Sequence, residues 1–294
     1  MAEFVVPEYL AESVRADTCA VSREWIGRLP DTVAELAQRW SLRLGAPYEP
    51  GGCCSWVAPV QGADGQRLVL KVAWRHDEAE SEADGLRTWN GCGAVLLLDA
   101  HAEADTSALL LERCEPGTTL GSSVPEPEQD VVIAGLLQRL WSVQSTARPF
   151  RSLQVMCDAW ATAFEQRLRT VSAPLDPGLT SAGIELLRSL PATARTTTLL
   201  ATDLHAGNAL ASRREPWLVI DPKPYLGDPA YDCVQHMLDC DIRLAEDPAG
   251  LAERMASLLD LDNERVTQWL LARCVQESID QPRLAAVAAR LAST

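Results

Sequence analysis

Apolar side chains recur at three- and four-residue steps through the first forty residues, at Trp25, Leu29, Val33, Leu36, Ala37 and Trp40. That period predicts helix with one buried face. The pattern then shortens to alternation, which predicts strands at 41–44, 55–60 and 67–73. The turn Gly62-Ala-Asp-Gly65 separates the last two. A helix is expected from Asp77 to about Asn90, followed by strands at 94–98 and 108–111. From Glu126 the period is helical again: 129–146, 153–170, 179–190, and several further helices after Asp228. Glu115-Pro-Gly117 falls where the two patterns meet, and Val124-Pro-Glu-Pro127 makes a stiff loop after it. The expected fold class is therefore α+β. It comprises a small antiparallel-sheet N-terminal lobe with a helical lead-in (1–111), a hinge (112–117) and a mainly helical C-terminal lobe (118–294). The length suffices for two lobes around a cleft, each with its own core. Neither internal repeats nor low-complexity tails are evident.

Charge narrows the range of partners. A formal net charge of −15 argues against nucleic acid and anionic membrane and suits a cationic small molecule, although acidity also serves solubility alone. No apolar run reaches membrane-spanning length, and the N-terminus lacks the basic start of a signal peptide, so a cytoplasmic location is expected. The nine cysteines are odd in number and scattered, without a CxxC pair or a Cys/His cluster at zinc spacing, as expected of free thiols. Only Lys71 and Lys223 are lysines among 26 basic residues. Where arginine is so dominant, each retained lysine calls for a reason.

The chemistry concentrates in Leu199-Leu-Ala-Thr-Asp203-Leu-His-Ala-Gly-Asn208 and, thirteen residues later, in Val219-Ile-Asp221. An apolar run leads to Asp203 on a loop, and Trp217-Leu-Val-Ile220 reads as a short strand ending at Asp221. A carboxylate beside an incoming hydroxyl can accept its proton. An amide oxygen and a second carboxylate, Asn208 and Asp221, can hold the magnesium that neutralises a transferring phosphoryl group. A polar turn between helices is the plain alternative for this segment.

Upstream, Lys71 sits mid-strand, where it either faces solvent or reaches into a cleft. Glu82 shares a helix face with Leu86 and Trp89 at i, i+4 and i+7 and is the preferred carboxylate for it, with Glu78 and Glu80 as rivals. A Lys–Glu pair of this kind sets an ammonium on the α- and β-phosphates of ATP. Gly51-Gly52-Cys53-Cys54-Ser55 lies where a phosphate-covering loop is expected, with backbone N–H groups and the Ser55 hydroxyl as donors. The carbonyl of Glu112 and the amide of Cys114 are placed to read adenine. Asp228 is expected to cap the helix starting at Pro229. Asp232 is read as structural, and His205 as a residue that orders its loop. For the acceptor, Asp239, Asp241 and Glu277 are candidate anchors and Trp160 or Trp269 candidate walls. Taken singly, each of these five reads more readily as a solvated or core residue.

Together these segments resemble the aminoglycoside phosphotransferases of the protein-kinase-like fold. The resemblance is to the streptomycin 6-phosphotransferase and hydroxyurea phosphotransferase family, and it spans nearly the whole chain. Its most specific stretch is Ile220-Asp-Pro-Lys223 with Gly227-Asp-Pro-Ala-Tyr-Asp232, since this family has Asp-Pro-Lys in place of Asp-Phe-Gly. The resemblance implies a bilobal kinase that uses ATP (or GTP) and Mg2+ to phosphorylate a hydroxyl of a streptomycin-type antibiotic and so confers resistance. In it Asp203 is the base, Asn208 and Asp221 are metal ligands, and Lys71 anchors phosphate. A hydroxyurea or other small-metabolite kinase stays open as an alternative acceptor reading. So does a weakly active nucleotide-binding pseudokinase, because Ala201-Thr202 stands where the family usually has His-Gly.

Overall fold

A computed structural model of the chain describes residues 4–16, 20–75, 80–103, 105–144, 150–171 and 175–293. Its contacts divide the chain into two compact units, Met1–Gly117 and Thr118–Thr294.

In the first unit, helices α1 (Glu8–Ala16) and α2 (Ala20–Arg39) precede strands β1 (Arg43–Leu44), β2 (Ser55–Gln61) and β3 (Arg67–Trp74). Helix α3 (Glu82–Trp89) and strands β4 (Leu97–Ala102) and β5 (Thr106–Glu112) follow. The strands form one antiparallel sheet in the order β1-β2-β3-β5-β4. Alternation along the strands sorts their side chains. Trp56, Ala58 and Val60 of β2 join Leu68, Leu70 and Val72 of β3 in a core with Leu10, Trp25, Leu29 and Val33 of the two N-terminal helices. Val69, Lys71 and Ala73 therefore take the opposite face of β3. The strand expected at 94–98 begins later, at Leu97. Gly91 and Gly93 have positive φ, and Ala94 and Val95 are buried before pairing with β5 starts.

The second unit is mainly helical. It begins with α4 (Leu120–Ser123), capped by the Thr119 side chain, and continues with α5 (Glu126–Trp141), α6 (Leu153–Arg167) and α7 (Pro177–Ser189). Two short antiparallel ribbons then interrupt the helices. One pairs β6 (Thr198–Leu200) with β9 (Tyr225–Gly227), and the other pairs β7 (Ala209–Ala211) with β8 (Trp217–Val219). After them come α8 (Pro229–Asp232), α9 (Val234–Asp239), α10 (Asp241–Glu246), α11 (Pro248–Leu259), α12 (Asn263–Glu277) and α13 (Arg283–Leu291). Asp176, Asp228, Asp247 and Asp262 each cap a helix with their side chains. Helices α7 and α12 pack closely at Gly183, where a Cβ would come within 2.5 Å of Val275.

Candidate active site

The two ribbons carry the loop between them. Asp203 lies three residues beyond β6, Asn208 immediately precedes β7, and Asp221 lies two residues beyond β8. The Asn208 side-chain nitrogen donates to the Asp203 backbone carbonyl at 3.0 Å, and the Asn208 backbone carbonyl accepts from the Ile220 amide at 2.9 Å. That commits the amide nitrogen and leaves the side-chain oxygen for a cation. That oxygen and the Asp221 carboxylate are both hard oxygen donors, the ligand type that suits an ion such as Mg2+. Asp221 has φ +50°, a left-handed turn that a non-glycine residue rarely takes.

Asp203 meets Lys223, whose Nζ is 2.7 Å from Oδ2; the two side chains are 23 % and 31 % exposed. The backbone of Lys223 is held by the loop itself. Its amide donates to the Ala201 carbonyl at 2.8 Å, and its carbonyl accepts from the Thr202 hydroxyl at 2.6 Å. Thr202, like Asp221, has positive φ, at +53°. Beneath the loop the buried Asp232 carboxylate accepts from the amides of Ala201 (3.1 Å) and Thr202 (2.6 Å) and from the Trp141 indole (2.9 Å). Burial raises the Asp232 pKa to about 6 against the pull of those three donors.

On the other side of the loop, His205 Nδ1 lies 2.7 Å from Asp239. Burial favours the neutral ring, but the Asp239 hydrogen bond and charge outweigh it and raise the His205 pKa. Asp239 also lines a pocket of about 390 Å³ with Ala206, Glu126, Gln129, His236 and Cys240. Among the described residues Asp130, His236 and Cys240 form a buried cluster of metal-ligating types. However, Arg243 and Arg254 both bond the Asp130 carboxylate, so positive charge is already in place there.

In the first unit the Lys71 ammonium bonds both oxygens of Glu82, at 2.8 and 2.7 Å, and the residues are 7 % and 3 % exposed. The lysine is therefore not a solvated strand residue. The rival Glu80 bonds Arg75, and Glu78 lies outside the described residues.

A family model described as aminoglycoside/hydroxyurea antibiotic resistance kinase matches residues 39–282. The chain belongs to this kinase family. It is 36 % identical over 288 residues to a streptomycin 6-kinase from Streptomyces glaucescens, covering 93 % of this chain and 90 % of that protein. It is 33 % identical to a hydroxyurea phosphotransferase from Kitasatospora aureofaciens, covering 93 % of this chain and 79 % of that one. A solved structure of aminoglycoside phosphotransferase APH(3'')-Id from Streptomyces rimosus, in complex with ADP and streptomycin, has the same fold. Its TM-score is 0.55 at 16 % identity, covering 89 % of this chain and 98 % of that one.

Within this kinase chain the other expected residues fall at separate places. Ser55 opens β2 and is buried, and a Cβ on Gly52 would come within 3.0 Å of its hydroxyl, so the Gly51-Gly52 turn packs tightly on it. The Glu112 side chain accepts from the Leu96 amide, and Cys114 is buried. Asp241 is paired with Arg283 and Glu277 with Arg273. Trp160 stacks on the Arg273 guanidinium, 4.5 Å from its ring centroid. Trp269 is fully buried and donates to Asp228, which makes it a core residue rather than a pocket wall. Sequence reasoning passed over Lys223, Glu126 and Asp130. For Lys223 a signal was present, since it is one of only two lysines and sits in Asp-Pro-Lys. For Asp130 there was none.

Proposed function

We propose that this kinase transfers the γ-phosphoryl group of ATP to a hydroxyl of a streptomycin-type aminoglycoside and thereby confers resistance to it. The observation that carries this reading is the Asp203–Asn208 loop, hydrogen-bonded within itself and braced by Asp232. In this reading the acceptor hydroxyl gives its proton to Asp203 as its oxygen attacks the γ-phosphorus. The Asn208 oxygen and the Asp221 carboxylate hold Mg2+, which when bound supplies positive charge against the phosphate oxygens. Lys71, oriented by Glu82, meets the α- and β-phosphates. Ser55 and the Gly51-Gly52 amides add phosphate contacts, while the Glu112 carbonyl and Cys114 amide meet adenine. Asp239 and Glu126 on the pocket wall suit a guanidinium group of the acceptor. Asp241 and Glu277, already held by arginines, contribute less to this reading.

A second reading, transfer to hydroxyurea or a comparably small hydroxyl compound, is favoured by the hydroxyurea phosphotransferase relative. The test is ADP release by the purified protein with ATP and Mg2+, alone and with streptomycin or hydroxyurea. Stimulation by streptomycin supports the first reading, and stimulation by hydroxyurea alone moves the assignment to the second. Nucleotide binding with no stimulated turnover by any acceptor points to a pseudokinase.

A further inference from the structure

Lys223 lies on the carboxylate that the proposed reaction uses as its base. A general base pinned to a cation is a poor proton acceptor, so the Asp203–Lys223 contact at 2.7 Å must loosen when the acceptor hydroxyl arrives. Both side chains are part-exposed, so an incoming group can reach the pair from solvent. The rest of Lys223 does not move with it, because its amide and carbonyl are held by Ala201 and Thr202. Residue type adds a second argument. Lysine is rare in this arginine-rich chain. Arginine would grip both oxygens of Asp203 in a planar fork, whereas an ammonium is a compact charge with three rotatable donors that can change acceptors.

We propose that Lys223 is a catalytic residue whose ammonium leaves Asp203 for a γ-phosphoryl oxygen of the bound triphosphate. The inference rests on the kinase reading above. The acceptor O–H proton passes to the freed Asp203 oxygen, and the acceptor oxygen forms its bond to the γ-phosphorus. The bond from that phosphorus to the β-phosphate bridging oxygen breaks, and its electron pair leaves with ADP. Lys223 keeps its proton throughout and bears against the charge on the transferring group.

Calorimetric titration of wild type, Lys223→Ala and Lys223→Arg with Mg2+ plus either ADP or a non-hydrolysable ATP analogue tests this without needing the acceptor. Lys223→Ala should bind the triphosphate analogue roughly tenfold more weakly while ADP affinity changes less than about twofold. Lys223→Arg, held on Asp203 by its planar fork, should not restore the preference for triphosphate. Acceptor-driven turnover of Lys223→Ala should fall by about 10², with thermal melting near wild type because the backbone contacts persist. If Lys223→Ala keeps the triphosphate preference, or loses both nucleotides equally, the proposal is wrong whatever the rate does. A wild-type protein that binds neither nucleotide would instead remove the kinase reading beneath it.

Discussion

Taking away the Lys71 ammonium leaves the Glu82 carboxylate buried without the charge that neutralises it. Lys71→Ala is therefore expected to lose nucleotide use and also to lose stability, on the order of 3–5 kcal/mol. Replacing both partners, Lys71→Met with Glu82→Leu, should recover most of the melting temperature while nucleotide titration still shows no binding. Recovered binding in that double variant would make the pair a packing device. Asp203 is part-exposed, so Asp203→Asn should melt like wild type and bind nucleotide. Its steady-state transfer rate should drop by ~10²–10⁴, and retention of more than about a third would make Asp203 a bystander. Of these contacts, Lys71–Glu82 was legible because helical spacing aligns Glu82 with Leu86 and Trp89, and all three are buried. The Asp203–Lys223 contact was not, because it spans twenty residues and follows a left-handed turn at Asp221.

Between elements, the most demanding junction is at Asp130 on α5. Its buried carboxylate is bonded by His236 of α9, Arg243 of α10 and Arg254 of α11, so one side chain joins four helices. Burial alone would raise its pKa, but the bonds from His236, Arg243 and Arg254 hold it well below the usual carboxylate range. A depressed folded pKa stabilises above the unfolded value, near 3.9, and that stability is lost as pH falls through the folded value. Asp130→Asn should thus melt well below wild type at neutral pH, with the gap closing below about pH 4. A gap independent of pH would show that the junction depends on shape and not on charge. Most helices and strands were readable from periodicity and caps, as at Asp228 and Pro229. Helix α4 and the start of β4 were not, because four residues are too few to show a period, and Ala94-Val95 is buried ahead of Leu97, the first residue paired with β5. Asp130 carries no sequence sign of burial, since its arginines come from helices more than a hundred residues away.

For the whole molecule, a formal charge of −15 attracts cations at a distance. Attractions between exposed charges are screened beyond roughly 8 Å at physiological ionic strength. Streptomycin, with two guanidinium groups, should therefore show a KM that rises with added salt, while the KM for uncharged hydroxyurea stays flat. Initial rates at several salt concentrations measure both. If the two acceptors respond alike, the acidity serves solubility and not recognition.

The brace beneath the Asp203–Asn208 loop also bears on how this chain can change over generations. Threonine at 202 occupies a backbone conformation that favours glycine, at a cost of about 1–3 kcal/mol. The Asp232 carboxylate and the hydroxyl bond to Lys223 offset it. Threonine at 202 is therefore expected to be better tolerated with Asp232 in place than without it. Asp232→Asn should be harsher in the Thr202 background than in Thr202→Gly, and a double-mutant melting cycle reads the difference directly. Equal losses in both backgrounds would mean that the two positions drift independently.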